Sequence, residues 1–600
     1  MPEHFRALIV ILAVAGIVFT LARRSATDLI PYRDFTRRRN LWFALTLLAF
    51  VSQNFWVYAG IAAIALTVAG QRDRNPVGLF FLLLFLIPPA SAQIPGFGLI
   101  NYLFDLDHIR LLALCVLLPA FFTLIRQADT LPFGRTWPDR LLAASIALTS
   151  LLYLRETTVT DTLRQTFYLF IEVFLPYYVA SRAIKRLSDF KDALLCYLLA
   201  AMVLSLIAAF EYTRHWLLYD ALIDALGMQW EMSGYLSRGG SLRASATTGQ
   251  AIVLGYVVSV AIGFFLFLHV YARSRLQRFL SALLLAAGLF APLSRGPWVG
   301  AAVIITVFIA TGRGAIKRLM LLALAGALAL PMLAVLPAGE KVLDLLPFIG
   351  TLEKENITYR ERLIDNSLIV IQRNPLLGSF DYRSTPEMQA LVQGQGIIDI
   401  VNTYISLALK VGLIGLALFV AFFGTVLLSI RKSMRSFPDK DDEERRLGRA
   451  LLATLAGILV IIFTVSSITV IPVVYWSVAG LGVAYAQMVS RLRHTQTAAA
   501  SNASLQLRYA NDHSLPPPIY AGLGSIEPAH LAVYHVGVGL GRQRGRTQRP
   551  AKLDSRWRPW ADLFFRFFWG ELDLGGFDDF VQGQRTGQLR PCWHQQSPGF

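Results

Sequence analysis

The sequence predicts an all-α polytopic membrane protein with about 14 transmembrane helices. Three observations predict it. Hydrophobic residues make up 55% of the 600 and charged residues only 16%, too little polar surface to cover a soluble core of that size. Apolar runs of spanning length recur along the chain, with short Arg-rich stretches between many of them. The runs are apolar throughout instead of alternating in polarity, which excludes a closed β-barrel.

In order, the expected spans cover 5–22, 41–70, 77–92, 109–125, 141–153, 165–180, 193–212, 251–271, 279–293, 298–310, 319–336, 413–430, 450–466 and 472–489. Clusters of Arg and Lys set their direction, because basic loops stay on the cytoplasmic side of the bacterial inner membrane. Arg182, Lys185, Arg186 and Lys191 form one cluster, Arg273, Arg275 and Arg278 a second, Arg313, Lys317 and Arg318 a third. A fourth comprises Arg431, Lys432, Arg435, Lys440, Arg445, Arg446 and Arg449. Alternation then puts 214–250, 294–297 and a large helical loop, 338–401, on the periplasmic face. One stretch resists the scheme. A single helix over 41–70 leaves Arg23, Arg24, Arg33, Arg37, Arg38 and Arg39 outside, whereas two spans broken near Gln53 and Asn54 restore the rule. Each half is short for a bilayer crossing, so the single helix is the expected form.

The net charge of +17 follows from these loops and does not call for nucleic acid. Cys115, Cys196 and Cys592 are widely scattered, which leaves neither a disulfide framework nor a CxxC metal site. The histidines are scattered as well, and no metal or other cofactor is expected. Hydrophobic patterning stops after Arg493, so 491–600 reads as a cytoplasmic tail, largely disordered. Its cluster of Trp557, Trp560, Phe564, Phe565, Phe567, Phe568 and Trp569 with Arg556, Arg558 and Arg566 reads equally as a patch for inner-leaflet lipids or as part of a disordered end.

Three places hold polar groups at the expected periplasmic edge. In LSRGPWVG, from Leu293 to Gly300, Pro297 suits the first turn of a helix and Gly296 allows a sharp turn, so Arg295 falls near a helix N-terminus that favours an anion. The plainer reading is a helix corner with a snorkelling Arg. In RGGSLRASATTGQ, Arg238 and Arg243 stand among small residues that would admit a bulky anionic ligand, or else form an ordinary polar loop. The third place opens with YRERLIDNSLIVIQRNPLLGS, where Arg360 and Arg362 precede Ile364, Leu368 and Ile371 at helical spacing and the helix should stop before Pro375 and Gly378. Plainly read, it is an amphipathic helix on the membrane surface. Arg383 follows, and GQGIIDIVNTYISLALKVGLIGLALF then carries Asp399, Asn402 and Tyr404 into the next span.

An SRG corner with a nearby Trp, an Arg-bearing loop before a span, an outer helix opening with Arg and closing in PLLG, and an Asn-x-Tyr stretch leading to GLIGL occur here in one order. In this the chain resembles the O-antigen ligase and exopolysaccharide polymerase family, over roughly Arg238 to Val489. The resemblance implies N-terminal transmembrane helices (1–237) ahead of a ligase/polymerase-like membrane domain (238–490), and a fold similar to the C-type glycosyltransferases. It also implies a polyprenyl-diphosphate-linked glycan donor, an inverting, metal-independent transfer, and Arg243, Arg295, Arg360 and Arg362 holding the diphosphate, with Arg238, Arg383, Asn402 and Tyr404 as further substrate contacts. Planar guanidinium suits that bidentate recognition better than ammonium.

Many members carry His just before the Asn of the last motif; here the position is Val401, which cannot take a proton. Asp399 is the first candidate to replace it as base, against a role as ion-pair partner of the same arginines, and Glu387 is a weaker one. Glu172, inside an apolar span near Pro176, is either functional or hydrogen-bonded to a neighbouring helix. The expected function is a membrane glycosyltransferase that joins lipid-linked saccharides to a glycan or to lipid A core, with a lean to the polymerase on IIDIVN. Membrane lipids and polysaccharide assembly proteins are the expected partners. A flippase would show two similar halves, which the sequence lacks, and an inactive assembly scaffold is the third reading.

Overall fold

The computed structural model describes residues 1–96, 98, 101–228, 237–238, 240–335, 354–392, 396 and 398–512. The chain divides into two units, 1–514 and 515–600, and the second lies outside the described residues with its aromatic cluster, as does 336–353 of the expected loop.

Runs of Ala, Leu, Val and Phe without interior breaks form helices. They are α1 (Glu3–Ala26), α2 (Tyr32–Val51), α3 (Phe55–Arg72), α4 (Pro76–Leu83), α5 (His108–Arg126), α6 (Trp137–Glu156), α7 (Val159–Leu169), α8 (Leu175–Ala183), α9 (Leu187–Arg214) and α10 (Asp220–Ala225). Then come α11 (Ala251–Leu268), α12 (Arg275–Phe290), α13 (Arg295–Ala310), α14 (Ala315–Val335), α15 (Lys354–Arg373), α16 (Pro386–Gln389), α17 (Thr403–Met434), α18 (Glu443–Ile461) and α19 (Val470–Asp512). Two small antiparallel hairpins depart from the all-α expectation. One pairs β1 (Ala92–Pro95) with β2 (Tyr102–Leu106), Ala92 opposite Leu106, and the other pairs β3 (Ser237–Arg238) with β4 (Ser241–Leu242).

Among the described residues, six helices are long and apolar enough to cross a membrane: Glu3–Ala26, His108–Arg126, Leu187–Arg214, Ala251–Tyr271, Thr403–Met434 and Val470–Thr495. The remaining expected stretches are not among these six. α9 and α11 are buried along most of their length, with α4 and α12 packed on α9, and α13 and α18 on α11. Two π turns interrupt the packing, Ala113–Leu117 inside α5 and Phe170–Phe174 between α7 and α8. Each stands just before a proline, Pro119 or Pro176, whose ring and missing N–H displace the preceding turn.

Two expected spans are corrected. The stretch 41–70 is not one helix: Gln53 takes φ of 49°, and the Asn54 side chain accepts from the N–H of Trp56 and Val57 to start α3 afresh. The chain reverses there, and the far ends of the pair are tied together. Arg38 bonds Asp73 beyond α3 at 2.6 Å and Asp192 of α9 at 3.1 Å, and Arg37 adds a bond to Asp73 at 2.8 Å. Arg37 and Arg38 therefore fall at the same end as Lys185 and Lys191, which is what the two-span reading required. The stretch 77–92 is the other correction, since α4 ends at Leu83 and the chain turns into β1.

The Arg38 cluster makes a stability prediction. Arg38 is 1% exposed, so removing an acid leaves a buried guanidinium short of a partner. Asp73→Ala is expected to cost about 3 to 5 kcal/mol, read as a lower thermal midpoint of the purified chain in detergent. A surface control, Asp129→Ala, which removes an exposed carboxylate paired with Lys185, should leave the midpoint within error.

At the other end a small satellite core forms from Leu363 and Val370 of α15, Tyr382, Met388, Leu391, Ile400 and Leu409. It sits on a break in α17. Gly412 has φ of 67°, and the backbone groups freed there pair with the PLLG segment: Leu413 N–H donates to Pro375 O (2.8 Å), Ile414 N–H to Leu376 O (3.3 Å), and Ser379 N–H to Leu409 O (2.9 Å). Gly378, at φ of 64°, lies so close that a Cβ would stand 2.5 Å from Leu409 O. The C-terminal end of α6 closes the joint, with Glu156 accepting from Phe380 N–H (2.6 Å) and Tyr153 stacked on Phe380. PLLG and GLIGL are thus two halves of one backbone joint.

Candidate functional site

The site end of the bundle is organised by a buried carboxylate near the end of α9. Glu211 is fully buried and accepts from three backbone N–H groups: Leu218 at 3.2 Å, Ser245 at 3.1 Å and Ala246 at 2.9 Å. It pins the loop that follows β4, including Ala246 at φ of 45°. Arg243, just ahead, is thereby laid against the corner before α13. Its Nε donates to Pro292 O (3.2 Å) and its Nη2 to Ser294 Oγ (3.0 Å), while Ala244 N–H donates to Ala291 O (3.2 Å). Arg295 is the next residue and the first of α13.

The corner differs in detail from its sequence reading. The residue with positive φ is Leu293, at 48°, not Gly296. Gly296 serves close packing instead, because a Cβ there would collide with Thr464 Oγ1 and touch Val465. Those residues open the connection between α18 and α19, 462–469, which holds the next part of the site. Ser466 Oγ bonds to Asp399 Oδ1 (3.0 Å) and to Ile400 O (2.8 Å). Thr403 N–H donates to Ile462 O (3.0 Å), and its hydroxyl to Val465 O (2.8 Å). Arg295, Asp399 and the hydroxyls of Thr464, Ser466 and Ser467 so gather around one short connection. None of the three hydroxyl residues was marked by the sequence; their only signal is TVSSIT, a polar-edged run just past an apolar one.

The arginines of α15 reach the same neighbourhood through Tyr359. Its hydroxyl donates to Asp399 O (2.9 Å) and accepts from Asp399 N–H (3.1 Å), which puts the turn bearing Arg360 and Arg362 beside Asp399. Both arginines are exposed. Asp399 is exposed too, so its carboxylate is open to a ligand on the side away from Ser466. Arg383 stands apart on the satellite core, its Nε donating to Tyr382 Oη at 3.1 Å. β3 carries the Arg238 backbone, and the side chain lies outside the described residues.

Asn402 and Tyr404 take structural bonds. Asn402 is 7% exposed and caps α17 by accepting from Tyr404 N–H (2.9 Å) and Ile405 N–H (3.2 Å). Tyr404 donates to Leu459 O of α18 (2.9 Å). Val401 packs on the satellite core. Glu387 pairs with Arg373, and its own backbone N–H together with that guanidinium holds its carboxyl below the usual carboxylate range. A carboxylate so engaged is a poorer base. Glu172 pairs across helices with Arg110 of α5 at 2.7 Å, the neighbouring-helix partner that the plainer reading asked for.

Fold and site together define a multi-pass α-helical membrane protein with arginines, a carboxylate and hydroxyls gathered at one end of the bundle. Residues 280–420 match the family model described as O-antigen ligase. The match runs from inside α12 through the Arg295 corner, α15 and Asp399 to beyond the Gly412 break, and leaves out Arg243 and 462–469. No curated protein matches the chain. The match supports a membrane enzyme of O-antigen or polysaccharide assembly.

Proposed function

We propose that the chain is an inverting, metal-independent glycosyltransferase at the periplasmic face of the inner membrane, with a fold of about 14 spans similar to the C-type glycosyltransferases. It joins saccharide units carried on polyprenyl diphosphate, either to each other as an exopolysaccharide or O-antigen polymerase or to lipid A core as a ligase. The observation that carries the reading is a run of contacts from Arg243 to Ser294, from Gly296 beside Arg295 to Thr464, and from Ser466 to Asp399, in a chain with an O-antigen ligase segment.

The chemistry follows from charge. An acceptor hydroxyl oxygen forms a bond to the anomeric carbon while the bond from that carbon to the diphosphate oxygen breaks. Negative charge grows on the leaving diphosphate, and guanidinium groups already in place stabilise it without reorganising. Arg243 and Arg295 are the first pair for this role, with Arg360 and Arg362 approaching from α15. The hydroxyl proton passes to Asp399, whose Oδ1 is oriented by Ser466 and whose other oxygen faces the acceptor.

Ser466→Ala tests the orienting bond. It is expected to lower turnover about tenfold with little change in the KM for donor, since it touches the base and not the diphosphate; an equal loss in both would contradict that division. Deleting the gene tests the function itself. Accumulated single lipid-linked repeat units support the polymerase, unligated long chains support the ligase, and an unchanged surface and lipid-linked glycan profile contradicts both.

A further inference from the structure

Lys410 lies two residues before the α17 break, half-buried, in the short helical segment that enters the bundle beneath the satellite core. Among the described residues it makes no hydrogen bond and no ion pair. The charge that acts on it is Arg383, of like sign. Backbone pairing explains the approach: Ser379 N–H binds Leu409 O, and the turn Phe380–Ser384 then runs beside Lys410 with Tyr382 buried against Leu409. Arg383 has no carboxylate partner among the described residues either; it bonds the Tyr382 hydroxyl and lies over that ring.

Two neighbouring cations, one of them half-buried, without a counter-charge are unfavourable unless an anion joins them. Three of the enclosed cations elsewhere carry acidic partners. Arg38 has Asp73 and Asp192, Arg182 has Asp139, and Arg110 has Glu172. Arg449 lacks an acid but donates to Phe308 O and lies over the Phe308 ring, whereas Lys410 has neither an acid nor an acceptor among the described residues, at the rim where the helix enters the apolar bundle. A compact ammonium suits a single phosphate oxygen as a point charge, and the adjacent guanidinium can take two.

We infer that Lys410 and Arg383 form an anion seat for a lipid-borne phosphate at the membrane edge. This rests on the transferase reading, in which the seat is a second contact for the donor diphosphate, entered before the Arg243–Arg295 corner. A phospholipid headgroup presents the same phosphate chemistry, and the experiment separates the two sources.

The full chain is purified in detergent and its retention of polyprenyl diphosphate and of phosphatidylglycerol is measured by native mass spectrometry. Lys410→Met keeps the side-chain volume and removes the charge, Arg383→Gln removes the second cation, and Lys410→Arg is the rescue. The seat predicts that Lys410→Met and Arg383→Gln each weaken polyprenyl diphosphate about tenfold, with Lys410→Arg within about threefold of the parent and thermal midpoints unchanged. A selective loss of phosphatidylglycerol instead supports the seat and assigns it to bilayer lipid. Retention of both lipids by both charge-removing variants overturns it. That failure would leave the transferase reading standing, because Arg295 and Asp399 are untouched in every variant.

Discussion

Arg295→Ala is expected to lower glycan transfer by roughly 1,000-fold while the protein accumulates in the membrane at its normal level. The separation of the two effects follows from position. Arg295 is the first residue of α13, and the corner is held by Gly296 on Thr464 and Val465, by Trp298 donating to Leu289 O at 2.8 Å, and by the backbone of 291–294. What the substitution removes is a charge one residue along from Ser294, the hydroxyl that Arg243 binds. Arg295→Lys should recover only part of the activity, because an ammonium cannot make the paired contacts of a guanidinium with one phosphate. Arg362→Ala is expected to abolish transfer likewise, from an exposed position on α15 where a structural cost is small. Lipid-linked glycan extracted from cells carrying each variant is the readout, and normal surface glycan in both would remove the diphosphate role.

The largest effect on stability is expected at Gly412. Gly412→Ala asks a residue with a Cβ to hold φ of 67° and to share space with Leu376 O, and the neighbouring atoms are backbone, which cannot swing away. Leu413 and Ile414 would lose their acceptors on 375–376, at a depth where water cannot replace them. The cost is expected to be about 3 kcal/mol or more, seen as a fall in thermal midpoint and in folded yield from detergent. Gly378→Ala should resemble it, since the two glycines face each other across the joint. A substitution at Gly424, where a Cβ meets nothing within 4 Å, is the control and should be silent.

Much of the fold was legible because hydropathy is a local property. Apolar runs specify helices, and the polar residues at their ends mark where each stops. The break at 52–54 was legible only in part. Asn54 is a good helix-capping residue, yet the apolar residues flanking Ser52 and Asn54 outweigh three polar ones in any hydropathy window. α4 misled for the same reason, since a fully buried half-helix and a span have the same composition.

The site was legible as motifs and not as a geometry. The SRG corner, Arg243 and Asp399 stand out as polar groups in apolar surroundings, and the order of PLLG and GLIGL could be read along the chain. What joins them could not. The joint at Gly412 is made of backbone groups, which carry no residue signature. The connection 462–469 looked like the end of a span because Ser466 and Ser467 bond Asp399 and Thr403, about 60 positions earlier in the chain. Glu211 resembled an ordinary polar residue near a helix end, and only its three backbone bonds reveal that it holds the Arg243 loop. Asn402 shows the other direction: its place in a motif suggested substrate, and the motif gave no sign that its side-chain oxygen caps α17.

The central claim is that Arg243 and Arg295 act on one diphosphate. A double-substitution cycle on the purified full chain, following release of polyprenyl diphosphate during transfer, measures it directly. If the two guanidiniums grip a single group, Arg243→Ala and Arg295→Ala each remove most of the activity and the double variant is little worse than either. Losses that multiply through the cycle, or normal release in either single variant, would contradict a shared site.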